Sequence, residues 1–146
     1  MRVLIQRVTR ARVLVKNQLR GEIAHGLVLL IGIHPDDDEN ALRFCAEKCA
    51  HLRIFADEAG KMNRSVLDVG GSVLAVSQFT LYGDCRRGRR PSFDKAAPPE
   101  QAAILCERFV DLLQEQGLEV AQGVFGAHMM VEINNDGPVT LVVENP

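Results

Sequence analysis

Val, Leu and Ile dominate residues 2–8 and 11–16, with the polar pair Thr9-Arg10 between them, and this pattern predicts two strands. A turn at Lys16-Asn17-Gln18 and a short third strand near 19–24 would complete a meander. His25-Gly26 interrupts the chain before Leu27-Val28-Leu29-Leu30-Ile31-Gly32-Ile33. The length of that continuous apolar run suits a strand buried on both faces, in the middle of a sheet. Pro35 to Glu39 places carboxylates in the first turn of a helix over about 38–51, where they complement its dipole. Ala41, Leu42, Cys45, Cys49 and Leu52 form that helix's apolar stripe.

Further on, Asp57-Glu58-Ala59-Gly60-Lys61 reads as a hairpin tip between Leu52-Arg53-Ile54-Phe55 and the stretch leading to Ser65-Val66-Leu67-Asp68. Gly70-Gly71 feeds a strand from Val73 to Leu81. Pro98-Pro99-Glu100 opens a second helix, about 99–117, with Ala103, Leu105, Cys106, Phe109, Val110 and Leu113 facing inward and Gly117 as its stop. Residues 120–124 and 129–143 supply the last strands, the latter folded as a hairpin at Gly137-Pro138, a turn by default. The order predicts an α+β (mixed α/β) fold, with antiparallel-rich sheets or a barrel-like sheet and two main helices. A chain of 146 residues, 47% hydrophobic, has room for one domain with a real core, here residues 1–146.

Charge narrows the function classes. The net charge is −2, so no global field draws the protein to nucleic acid or membrane. Any polyanion contact must come from local clustering, and Arg86-Arg87-Gly88-Arg89-Arg90 is the one such cluster. The N-terminus starts a strand pattern without the features of a signal peptide, and no run approaches a membrane span, so a cytoplasmic location without membrane contact is expected.

Cys45, Cys49, Cys85 and Cys106 show no C-x-x-C pairing, and buried free thiols are expected in the helical patterns. Cys45, Cys49 and His51 lack a fourth ligand and a ligand-like spacing, so no metal and no cofactor are expected. Cys85 reads as a loop cysteine beside the arginines.

Two segments remain that carry chemistry, Ser77-Gln78-Phe79-Thr80-Leu81 and Asn135-Asp136-Gly137-Pro138-Val139-Thr140. The chain has no glycine-rich phosphate loop after its buried strand and no G-x-S-x-G around Ser77, which sets aside nucleotide hydrolysis and the α/β-hydrolase mechanism. Of His25, His34, His51 and His128, only His128 falls near the second segment. A hydroxyl without a base is a weak nucleophile, so Ser77 and Thr80 are read as positioning groups. For an activated ester it is enough to hold the carbonyl, and the N–H groups of Phe79 and Thr80 can serve as an oxyanion hole.

These segments, with Arg89-Arg90-Pro91-Ser92-Phe93 and Gly123-Val124-Phe125-Gly126-Ala127, resemble the D-aminoacyl-tRNA deacylases, in order from Met1 to about Glu144. The resemblance implies hydrolysis of the ester joining a D-amino acid to the 3′-terminal ribose of tRNA, and weak exclusion of glycine. It also implies a homodimer in which a cis Gly137-Pro138 peptide enters the partner's site and rejects L side chains by steric overlap. Arg7 would brace that peptide; its plain reading is an exposed strand charge.

Ser77, Gln78, Phe79 and Thr80 would line the ester, with the substrate's 2′-hydroxyl assisting the chemistry. Phe125 would lie near the terminal adenine, or be an ordinary core aromatic, and Met129 would close the same pocket. Arg86, Arg87, Arg89 and Arg90 would contact acceptor-stem phosphates, or simply be solvated. The partners implied are the acceptor end of aminoacyl-tRNA and a second copy of the chain, with no membrane and no DNA. Two alternatives stay open: a non-catalytic tRNA-binding module, and a relative whose trans Gly-Pro peptide admits L-aminoacyl-tRNA.

Overall fold

A computed structural model describes residues 1–146, and its organising element is one long strand, β1 (Arg2–Val15). Thr9 and Arg10 do not divide it: both are exposed and extended, and irregular pairing around them absorbs the change of pattern. Lys16 and Asn17, at φ 50° and 63°, then form the tight turn whose twist suits a hairpin.

The return arm is β2 (Gln18–Ile23) followed by β3 (Gly26–Gly32). Val15 faces Gln18 and Ala11 faces Ile23; Val8 faces Gly26 and Arg2 faces Gly32. Both strands therefore run back along β1, and the expected meander of strands 2–8, 11–16 and 19–24 does not form, because the first two are the single strand β1. Ala24-His25 is an interruption in one arm, not a reversal, so β3 never folds back against β2.

The rest of the main sheet is added to these. β6 (Ser72–Ser77) pairs parallel to β3, and β7 (Val120–Gln122) parallel to β6. β8 (Met130–Glu144) lies antiparallel to β1. Gly21 of β2 approaches Gln122 of β7 so closely that an added Cβ would stand 2.6 Å from its carbonyl oxygen, and the sheet nearly closes into a barrel. A small hairpin, β4 (Phe55–Ala56) with β5 (Met62–Arg64), sits apart, with its tip at the expected residues.

The helices are α1 (Glu39–His51) and α2 (Pro99–Glu115). Asp38 caps α1 by accepting from the Ala41 N–H at 2.9 Å, a contact worth about 1 kcal/mol in typical helices. The buried face of α1 holds Ala41, Leu42, Cys45 and Cys49 of the expected stripe and adds Ala46 and Ala50, while Leu52 is the half-buried cap residue. In α2, Phe109, Val110 and Leu113 are buried as expected, Ala103, Leu105 and Cys106 are half-buried, and Ala102 and Leu112 are buried as well.

β3 is central and two-faced, as its continuous apolar run predicts. Leu27, Leu29 and Ile31 point to the helices and pack with Leu42, Cys45, Cys49 and Phe109. Val28 points to the barrel interior with Val13, Ile23, Leu74 and Val76. No helix is long and apolar enough to cross a membrane.

At the two chemistry-bearing segments the strands differ from expectation. β6 ends at Ser77, and the chain then curls into a 3-10 turn over Phe79–Tyr82. The Gln78 N–H donates to the Ile31 carbonyl at 2.7 Å, after which Leu81 donates to Gln78 and Gly83 to Thr80. β8, by contrast, does not turn at Gly137-Pro138. Its two halves both pair with β1, Asn135 opposite Val8 and Thr140 opposite Gln6, so residues 136–139 bulge out opposite Arg7 alone. A bulge keeps both halves on the same template, and that pairing overrides the turn tendency of Gly-Pro.

All four cysteines are free. Burial pushes the Cys45 thiol up to about 11 and the Cys49 thiol higher still, and burial likewise raises Cys106 to about 11. Cys85 is exposed. Iodoacetamide at pH 7.5 is expected to alkylate Cys85 in the folded protein and the other three only after denaturation. Peptide mapping checks this, and a second cysteine labelled at a comparable rate under native conditions contradicts it.

Candidate active site

The parallel register that pairs Ile31 with Ser77 delivers the Ser77–Leu81 segment to the C-terminal end of β3. The Gln78 side-chain amide donates to the Thr80 hydroxyl. Ser77 lines a cavity of about 50 Å³ together with Cys106, Gly123 and Phe125. Burial raises the Cys106 thiol, and a hydrogen bond with Ser77 only partly offsets that rise. Neither hydroxyl is hydrogen-bonded to a histidine or carboxylate; His128 is exposed. The Phe79 and Thr80 N–H groups open the 3-10 turn, where no preceding turn supplies an acceptor.

The other segment is the β8 bulge. The Gly137–Pro138 peptide is cis, and Gly137 has φ 121°. Arg7 holds the bulge from beneath: its Nε donates to the Asp136 carbonyl at 3.3 Å and pairs with the Asp136 carboxylate at the same distance. Its Nη1 donates to the Ile54 carbonyl at 2.7 Å. The Arg7 side chain is only 14% exposed, which removes its reading as an exposed strand charge. Asn135 closes the bulge from within, donating to the Thr140 hydroxyl at 2.9 Å while its Oδ1 accepts from the Val139 N–H at 3.3 Å.

Within one chain the two segments stay apart. Arg7, under the bulge, faces Leu27 near the start of β3; Arg2 faces Gly32 at its end and donates to the Leu81 carbonyl. Five strand residues separate these points, about 17 Å at the usual rise. β8 meanwhile pairs only with β1, so its outer edge is open, with Met130, Leu141 and Val142 exposed along the strand.

Phe125 is 42% exposed, so it is not a core aromatic. Met129 packs against the barrel interior, and its sulfur accepts from the Val124 N–H at 3.3 Å. The arginine cluster divides. Arg86 is bound to Asp84, Nε to Oδ1 at 2.8 Å, and that hydrogen bond, with the Arg86 backbone N–H, holds the Asp84 carboxyl well below the usual range. Arg87, Arg89 and Arg90 are exposed and form no ion pair.

Comparison with known proteins supplies what this geometry lacks. The model of the D-Tyr-tRNA(Tyr) deacylase family matches residues 4–144. The chain belongs to this family. A D-aminoacyl-tRNA deacylase of Shouchella clausii is 61% identical, covering 99% of both chains. One from Heliobacterium modesticaldum is 64% identical over 99% of this chain and 96% of its own. Another from Thermotoga petrophila is 54% identical, covering 99% and 97%.

Among solved structures, one titled c-Myc DNA Unwinding Element Binding Protein superposes with a TM-score of 0.93 at 40% identity, covering 100% of this chain and 99% of that one. A probable eukaryotic D-amino acid tRNA deacylase gives a TM-score of 0.85 at 19% identity over 99% and 98%, and shows a shared fold. The barrel-like α+β architecture is thus the architecture of the deacylase family.

Sequence reasoning missed Ile54. Its contribution is a backbone carbonyl, and no residue type announces one. Asp136 and Asn135 belong to the second motif, but their bonds to Arg7 and Thr140 depend on a bulge that the letters suggest is a turn.

Proposed function

We propose that this protein is a D-aminoacyl-tRNA deacylase, a hydrolase that cleaves the ester between a D-amino acid and the 3′-terminal ribose of tRNA. The observation that carries this is the end-to-end identity with deacylases, 61% over 99% of the chain, in a fold that presents both motifs at its surface. Ser77, Gln78, Phe79 and Thr80 hold the ester, with the Phe79 and Thr80 N–H groups facing the carbonyl oxygen. The absence of any base beside Ser77 or Thr80 favours assistance from the substrate's own 2′-hydroxyl. Phe125 and Met129 border the terminal adenine, and Arg87, Arg89 and Arg90 offer free charge to acceptor-stem phosphates, while Arg86 shapes their loop.

Chirality is set by a second copy of the chain. Its Gly137 and Pro138 carbonyls receive the substrate's α-ammonium group, so that an L side chain would collide with the bulge and a D side chain points away. Glycine, having no side chain, escapes this exclusion. Two observations support the homodimer: the motifs lie about 17 Å apart along one sheet, and the open β8 strand exposes Met130, Leu141 and Val142. A cytoplasmic location fits a substrate made there.

Matched D- and L-tyrosyl-tRNA test the reading. Hydrolysis of the D ester at least about a hundredfold faster than the L ester is expected, and equal rates overturn it. One observation favours a second reading, a nucleic-acid-binding module, namely the likeness at 40% identity to the c-Myc DNA Unwinding Element Binding Protein. Binding of tRNA without hydrolysis of either ester would establish that instead.

A further inference from the structure

Of the six phenylalanines, three are exposed: Phe79 (53%), Phe125 (42%) and Phe93 (36%). Phe125 is accounted for by the adenine. Phe79 and Phe93 touch each other edge to face, ring centroids 5.1 Å apart and planes at 74°, yet remain open to solvent. The pair gains less from folding than buried rings do, because about half of Phe79 and a third of Phe93 stay in water.

The loop nevertheless holds Phe93 in place with several bonds. Asp84 and Ser92 exchange backbone hydrogen bonds at 2.7 and 3.0 Å, the Ser92 hydroxyl donates to Asp94, and the Ala96 N–H donates to the Phe93 carbonyl. Gly83 leaves the space the ring occupies, for a Cβ there would come within 3.1 Å of Phe93 Cε1. The exposed cations Arg89, Arg90 and Lys95 flank the ring in sequence.

We propose that the Phe79–Phe93 pair is a stacking platform for the cytidine that precedes the terminal adenosine of the tRNA, with the adjacent cations facing its phosphate. This rests on the deacylase reading above. Phe79 belongs to the segment that holds the ester, so the nucleotide next to the reacting ribose passes within reach of its ring. A stacked base covers an aromatic face without demanding a sequence-specific bond, and the surrounding positive charge matches the strand it belongs to.

The test compares D-tyrosyl-tRNA with D-tyrosyl-adenosine, which lacks the cytidine, in wild type, Phe93→Leu and Phe93→Tyr. Phe93→Leu is expected to lower the kcat/KM ratio of the tRNA ester to the nucleoside ester about ten- to a hundredfold, and Phe93→Tyr to leave that ratio near wild type. An unchanged ratio in Phe93→Leu, whether both rates fall together or neither falls, overturns the inference. So does a loss seen with D-tyrosyl but not D-alanyl esters, which would place the amino-acid side chain on the platform.

The Kd values of the unacylated CCA trinucleotide and of adenosine, measured calorimetrically, give the same comparison without chemistry. Weakening of CCA alone by Phe93→Leu supports the platform, and equal Kd values in wild type and variant reject it. A wild type that hydrolyses neither ester defeats the deacylase reading, and the trinucleotide measurement still decides this one.

Discussion

A D-aminoacyl-tRNA ending in 2′-deoxyadenosine, with the ester on its 3′ oxygen, is expected to be hydrolysed at least about a hundredfold more slowly than the natural substrate, whereas Thr80→Ala is expected to retain activity within about tenfold. Positioned proton transfer is commonly worth about 10²- to 10⁴-fold, and something must supply it here. Thr80 has no means to: its hydroxyl is exposed and accepts from the Gln78 amide, a donor with no basicity. Ser77 is no better placed, since its sulfur neighbour Cys106 is held up at about 11 by burial and is a neutral thiol at pH 7. The ribose 2′-hydroxyl adjoins the ester and can pass a proton, which the Phe79 and Thr80 N–H groups and the Gln78 amide cannot. Single-turnover rates with both substrates and both proteins check the claim. Full activity on the deoxy substrate would reject assistance by the 2′-hydroxyl, and a loss of several orders of magnitude in Thr80→Ala with binding intact would make Thr80 the nucleophile.

Local pattern carried much of this fold and little of its pairing. The run from Leu27 to Ile33 announces a strand with two buried faces because every side chain in it is apolar or glycine, and both helices are legible from their stripes and their first and last turns. What the letters do not contain is which edge a strand joins. β2 and β3 both return along β1 because Ala24-His25 interrupts without reversing, and β8 passes straight through Gly137-Pro138 because each half finds β1. The same limit hides the brace: Arg7 is visible as a charge, but its partners are carbonyls of residues 54 and 136, brought near by tertiary pairing. Arg86 shows the converse, since Asp84 stands two residues before it and offers a local counter-ion within an otherwise unpaired cluster.

Two glycine substitutions are expected to separate fold from site. Gly26→Ala should destabilise by at least about 3 kcal/mol, lowering Tm by roughly 10 °C. Gly26 faces Ser72 across the β3–β6 pairing, and an added Cβ would stand 1.8 Å from the Ser72 carbonyl oxygen and 2.8 Å from its carbonyl carbon and amide nitrogen. These are backbone atoms at the start of two central strands, so relief requires shifting β3 or β6 with the core residues they carry. Gly137→Ala should behave in the opposite way, with Tm within about 3 °C of wild type and the rate on D-aminoacyl-tRNA reduced at least about a hundredfold. Gly137 is exposed, so little packing depends on it. Its φ of 121° is strained for any L residue, and a Cβ there would lie 2.9 Å from Val139 Cγ2 and 3.1 Å from Arg7 Nη2. The bulge must therefore move off the arginine that fixes it, and in the proposed site a carbonyl displaced by about 1 Å would no longer meet the substrate's ammonium group in register. Calorimetry and deacylation assays on both variants test the pair. A Gly137→Ala protein of normal activity would mean that the bulge does not hold the substrate, and a Gly26→Ala protein of unchanged Tm would mean that the close approach to Ser72 does not constrain the barrel.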